Sequence, residues 1–138
     1  MIHKDRRQFP LWGFGVLGFV LGVVLVGVLA SPKVIAVEPG KNSTEIPSTA
    51  SVRILFNRPM DSQSVLSHLQ IQPELLGQIV RQGNQISFSP EEPWPFGTTV
   101  TIELGAGARS DRFLPLLIGE KWSFQVGEPR VVYLWPAN

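Results

Sequence analysis

The stretch ILFNRPMDSQSV, residues 54–65, holds the side chains of this sequence that come nearest to reactive chemistry. Asp61, Ser62 and Ser64 follow a proline in close order, with His68 a little further on. An acid, hydroxyls and an imidazole together suit either a cation-binding loop or a nucleophile with its base. A calcium loop needs several oxygen ligands at alternate positions, as in D-x-[DN]-x-[DN]-G-x5-E. Here Asp61 is followed by Ser62, Gln63 and Ser64, and the next carboxylate is Glu74. No G-x-S-x-G stretch raises a serine on an elbow, and His68 is the one histidine past residue 30. A plainer account fits better. Pro59 cannot donate to a ladder and ends the strand, and Asp61 accepts the free N–H groups of the short turn that follows.

Other candidates fare similarly. Glu91 and Glu92 are adjacent on a loop before Pro93, so they point apart and read as a solvated edge rather than as paired acids. Trp94, between two prolines, would stack on a sugar or a partner if exposed, or plug one end of a sandwich if buried. Asn42-Ser43-Thr44 matches a glycan acceptor pattern. With no cysteine, thiolate metal sites, disulfides and a cysteine nucleophile are excluded. The expectation is no catalytic, cofactor-binding or metal-ligating residue, and no enzyme.

The elements around these residues fall into two parts. LWGFGVLGFVLGVVLVGVLA, Leu11 to Ala30, is twenty residues without a charge, about 30 Å as a helix. Thirteen of them are Leu, Val or Phe, which favours membrane insertion by roughly 4–8 kcal/mol. HKDRR precedes the run and only Lys33 follows closely, so residues 1–10 are expected in the cytoplasm and residues 31–138 outside it. Val28-Leu29-Ala30 also offers small residues for a signal peptidase, but the apolar run exceeds the 7–15 residues or so of a signal core. An uncleaved anchor is the reading taken, with the bilayer as partner through Leu11 to Ala30. Gly18-x-x-x-Gly22 offers a seat for a homodimer contact.

From Ser31 onward nine basic residues face ten acidic ones and no basic stripe appears, so nucleic acid is not an expected partner. Short alternating runs follow: 34–39, 51–57, 69–73, 77–84, 85–90, 98–107 and 121–127, parted by Gly, Pro and Asn turn signals. GKNSTEIPSTA reads as a polar connection between the first two. The inward set is Val52, Ile54, Phe56, Ile71, Ile86, Phe88, Val100, Ile102, Leu104, Trp122 and Phe124. At about 1.5–3 kcal/mol per buried large side chain, it is enough for one core. A short helix is expected over Ser62–Leu69. About seven strands in this arrangement predict an all-β, immunoglobulin-like sandwich behind one transmembrane helix. The sandwich is expected to span residues 31–127, with 128–138 a tail that opens a further domain through its strand-like run Val131–Trp135.

Three segments resemble the bacterial Ig-like domain of surface-layer proteins, the SbsA-type or Big family. They are ILFNRPMDSQSV, ISFSPEEPWPFGTTVTIELGAGARS and WSFQV, and with the entry VIAVEPG they span residues 34–127. The resemblance implies a non-enzymatic module at the cell surface, a spacer or an adhesive or protein-docking domain of the envelope, and it carries no catalytic residues. Other envelope proteins or glycans are the partners it implies. A carbohydrate-binding or sensory accessory domain of an extracytoplasmic enzyme or propeller protein is the alternative. One departure stands out: ARSDRFLPLLIGEKW lacks the Asp-x-x-Gly turn expected before the last strand, so an irregular connection is expected there.

Overall fold

The computed structural model describes residues 11–129, and the chain divides into two compact units between Ser31 and Pro32. In the first, α1 runs Leu11–Leu29. Its mean hydropathy over Trp12–Leu29 is 2.4, and large apolar side chains are exposed on all sides of it. A helix apolar all round needs an apolar surrounding, and this one has the length for a membrane span or a signal sequence. It closes with Ser31 Oγ donating to the Gly27 carbonyl at 2.9 Å, a local bond for a carbonyl without a helical partner.

In the second unit the strands are β1 (Val34–Glu38), β2 (Ser43–Ile46), β3 (Val52–Phe56), β4 (Leu69–Gln72), β5 (Gly77–Gln82), β6 (Gln85–Pro90), β7 (Thr99–Leu104) and β8 (Glu120–Val126). A two-turn helix, α2 (Ser62–His68), lies between β3 and β4. One sheet has the order β1-β3-β6-β5 and the other β2-β8-β7-β4. All pairings are antiparallel except β2 with β8. This is the all-β, immunoglobulin-like sandwich that the alternation predicts.

The alternation works because side chains on a strand point to opposite faces in turn. Val52, Ile54 and Phe56 on β3 are buried while Arg53 and Leu55 face out. Across the register, Ile54 opposes Ile86 and Val52 opposes Phe88, and in the other sheet Ile102 opposes Trp122 and Val100 opposes Phe124. Ten members of the inward set are buried; Ile71, on edge strand β4, is half-buried and packs against the others. Met60, Val65, Trp94, Ala108, Leu116 and Val126 complete the core. Most of these lie outside the strands, in α2 or in connections, where no alternation marks them.

Two differences from the sequence reading are physical. Ser43–Ile46, within the run read as a polar connection, is a strand. Asn42 and Glu45 adopt φ near +58° and +59°, so its local geometry is turn-like. Its strand character comes from pairing beside β8, with Ser43 opposite Phe124 and Ile46 opposite Val126. The helix over Leu11–Ala30 ends one residue earlier, at Leu29. The tail Val131–Trp135 and the basic residues 1–10 lie outside the described residues.

The sandwich has two distinct ends. Val34 pairs with Phe56, so the chain enters where β3 finishes, and Lys33 is held there by Asn57 in both directions, at 2.8 and 3.0 Å. α2, the Gly83–Asn84 turn and the 105–119 connection share this entry end. Gly83 takes the first central position of its turn at φ +59°, where glycine has no steric cost. The last strand runs the other way: β8 is seven residues, about 20 Å, and ends at Val126 on the far end.

Candidate functional site

Asp61, Ser64 and His68 do come together, at the entry end. With Gly107, Arg109, Ser110, Asp111 and Phe113 they line a groove of about 750 Å³ between α2 and the 105–119 connection. Their hydrogen bonds show what they do there. Asp61 has the extended backbone of an N-cap, φ −70° and ψ 117°, and its carboxylate accepts from Gln63 N–H at 3.3 Å. Ser64 Oγ accepts from the Arg109 backbone N–H at 2.9 Å. His68 Nδ1 donates to the Ser64 carbonyl at 2.7 Å, which leaves Nε2 facing Gly107. The acid caps, the hydroxyl receives a backbone donor, and the imidazole closes the last turn of α2. A nucleophile needs its base within hydrogen-bond reach and the base held by a third group. Here each member is turned toward the backbone instead.

These bonds belong to a larger set that fixes the connection to α2. Asp61 N–H donates to the Arg109 carbonyl at 3.0 Å, Gly105 N–H to the His68 carbonyl at 2.9 Å and Asp111 N–H to the Pro59 carbonyl at 3.2 Å. Arg81, at the end of β5, donates through Nη1 to the Met60 carbonyl at 3.0 Å and to Asp111 Oδ1 at 2.6 Å. Isolated bridges join Met60 to Ser110 and Arg109 to Pro115. Buried Met60, Ala108 and Leu116 seal the core beneath. The connection is irregular, as the missing turn motif implies.

Its outer surface carries exposed apolar side chains. Phe113 is 80% exposed and Ile118 82%, with Leu117 half-exposed between buried Leu116 and solvent. Phe113 holds φ +61°, a left-handed backbone that costs a bulky residue on the order of 1–2 kcal/mol. Ser110 sustains it: its carbonyl accepts from Phe113 N–H at 2.9 Å and its buried Oγ accepts from Leu114 N–H at 3.2 Å. The reading of single residues for chemistry passes over Phe113 and Ile118. The signal available to it was the run FLPLLIG, apolar without strand alternation in a place where turn residues belong.

The remaining candidates lie at the far end. Trp94 is buried, donates Nε1–H to the Ala50 carbonyl at 2.8 Å, and packs its ring between Phe88 and Phe124 at centroid distances of 6.3 and 6.1 Å. It plugs the sandwich and has no free face for stacking on a sugar. Glu91 and Glu92 are exposed on the turn before it. Asn42 is exposed, with its backbone N–H donated to the Ser123 carbonyl at 2.8 Å. Among the described residues, no three His, Cys, Asp or Glu side chains are grouped to hold a metal ion.

Two four-stranded sheets closed over a common core, with polar side chains spent on caps and loop contacts, define an immunoglobulin-like module. The bacterial Ig-like domain family model matches residues 30–126, and the chain belongs to that family. Solved structures agree on the fold. An L,D-transpeptidase from Mycobacterium smegmatis superposes with a TM-score of 0.57 at 22% identity, over 71% of this chain and 41% of that one. The N-terminal part of the bacterial S-layer protein SbsC gives 0.51 at 19% identity, over 75% of this chain and 25% of that one. CopC from Methylosinus trichosporium OB3b gives 0.51 at 10% identity, over 74% of this chain and 99% of that one. The chain thus spans about two-fifths of the transpeptidase's length. Among curated proteins, none matches.

Proposed function

We propose that this protein is a non-enzymatic, membrane-anchored module that holds a rigid Ig-like sandwich outside the cytoplasmic membrane, as a spacer or docking domain of the cell envelope. The observation that carries this reading is the path of the chain. It enters at one end of the sandwich, three residues after the first unit stops at Ser31, and β8 delivers it to the opposite end. β8, about 20 Å long, thus carries the chain from the entry end of the sandwich to its far end. Both ends are sealed by packed side chains, Trp94 at one and Met60 with Leu116 at the other. The groove residues that resemble chemistry are engaged in holding a loop. Belonging to a non-catalytic domain family supports the same reading.

In this reading the helix over Leu11–Leu29 stays attached, with residues 1–10 in the cytoplasm. Carbonate washing of membranes, followed by N-terminal sequencing of the protein that remains, tests it. The intact N-terminus in the washed pellet is the expected result. A soluble protein beginning at Ser31 would refute the anchor. The carbohydrate-binding alternative rests on Trp94, which is buried.

A further inference from the structure

We infer that the entry end of the sandwich is a lipid-docking face, on which Phe113, Leu117 and Ile118 enter the headgroup region of an anionic membrane and hold the domain against it. The inference rests on the anchor reading above and adds to it a second contact with the same bilayer. Four residues, 30–33, separate Leu29 from Val34, and an extended chain spans at most about 3.6 Å per residue. Lys33 is itself tied to Asn57. Between Leu29 and Val34 the chain therefore reaches no more than about 18 Å.

What lies on that end suits a lipid surface. Phe113 and Ile118 are among the most exposed large apolar side chains of the second unit, and Ile35, one residue into β1, is also exposed at the entry end. In water this arrangement has no benefit, and for Phe113 it requires a strained backbone as well. Charge agrees. Lys33, Arg58, Arg109 and Arg112 are placed at this end, while Asp111 is neutralised by Arg81 and Asp61 is engaged as a cap. The far-end loops 73–76, 91–98 and 127–129 carry Glu74, Glu91, Glu92 and Glu128 and, among the described residues, no lysine or arginine. Such a polarity turns the basic end toward anionic lipid and the acidic end away from it. Apolar side chains inserted at the interface with basic residues around them are how peripheral segments bind membranes.

The absence of cysteine makes the test direct. Single-cysteine variants Phe113→Cys, Ile118→Cys, Leu76→Cys and Val20→Cys of the full chain are labelled with an environment-sensitive fluorophore. They are reconstituted in vesicles of phosphatidylcholine with phosphatidylglycerol, with nitroxide-labelled lipids as quenchers. Leu76 is as exposed as Phe113 but lies at the far end, and Val20 reports on the helix itself. The expected result is blue-shifted emission and quenching at 113 and 118 by a nitroxide near the glycerol end of the acyl chain, with neither effect at 76. Arg109→Glu with Arg112→Glu reduces that quenching in the anionic vesicles. Quenching at Val20 with none at 113 and 118 beyond that at 76 refutes the docking alone. No quenching at Val20 refutes the anchor, and the docking with it.

Discussion

The Trp94 and Phe124 rings meet edge to face at a centroid distance of 6.1 Å and an interplanar angle of 84°, and the same indole reaches across to the Ala50 carbonyl. One side chain from the turn after β6 thus closes the gap between the sheets, with its single polar atom satisfied. Replacing Trp94 by Ala should remove about 3–5 kcal/mol of stability, in the range of buried aromatic truncations. Trp94→Phe should recover most of the packing and leave the Ala50 carbonyl without its donor. Urea unfolding of the Pro32–Asn138 unit, whose core is built from its own residues, checks both; equal midpoints for wild type and Trp94→Ala would contradict the plug.

Gly77 opens β5 under the ring of Phe88. A Cβ there would come within 2.6 Å of Phe88 Cε2 and of the Ser89 carbonyl oxygen. Backbone and a core ring cannot both give way, so Gly77→Ala should cost about 1–3 kcal/mol. Gly40, with nothing within 4 Å of its Cβ position, is the control, and Gly40→Ala should change little. Thermal melting of the two variants side by side separates close packing from a general glycine effect.

Asp61 serves α2 as a cap, and α2 in turn holds the 105–119 connection. Asp61→Ala should cost about 0.5–1 kcal/mol, toward the low end for a cap because its bond is long and exposed. Asp61→Asn should retain most of that. Hydrogen exchange at Arg109 N–H and Gly105 N–H, both donated to α2, should quicken in Asp61→Ala and remain near wild type in Asp61→Asn.

Phe113 makes a prediction of opposite sign. Its ring is exposed, so truncation removes little packing, while its φ of +61° suits glycine far better than any L side chain. Phe113→Gly should therefore be more stable than Phe113→Ala by about 1 kcal/mol, the two sharing the loss of the ring and differing in the backbone. Chemical denaturation of the pair measures it. A residue that lowers stability where it stands is what a contact surface would require.

Much of this molecule is legible in the sequence because strands write their burial at a period of two. Val52, Ile54, Phe56, Ile86, Phe88, Val100, Ile102 and Leu104 announce the core, and Pro59 with Asp61 announces the turn into α2. Ser43–Ile46 does not announce itself, since it is a strand by virtue of β8 beside it and its own residues favour turns. Met60, Ala108 and Leu116 are equally silent, being core residues carried on connections.

The sequence by itself determined the apolar helix, the alternating strands and hence the two-sheet class, all set by local periodicity and composition. Only the tertiary structure decided what the suggestive side chains are for. Whether Ser64 Oγ faces a substrate or the Arg109 N–H, and whether Trp94 is a platform or a plug, depends on residues some 45 positions away along the chain. The same holds for the entry end. Phe113, Ile118, Lys33 and Arg58 are scattered along the chain, and they lie at one end because β1 starts beside the end of β3 and the 105–119 connection is bridged to Met60 there.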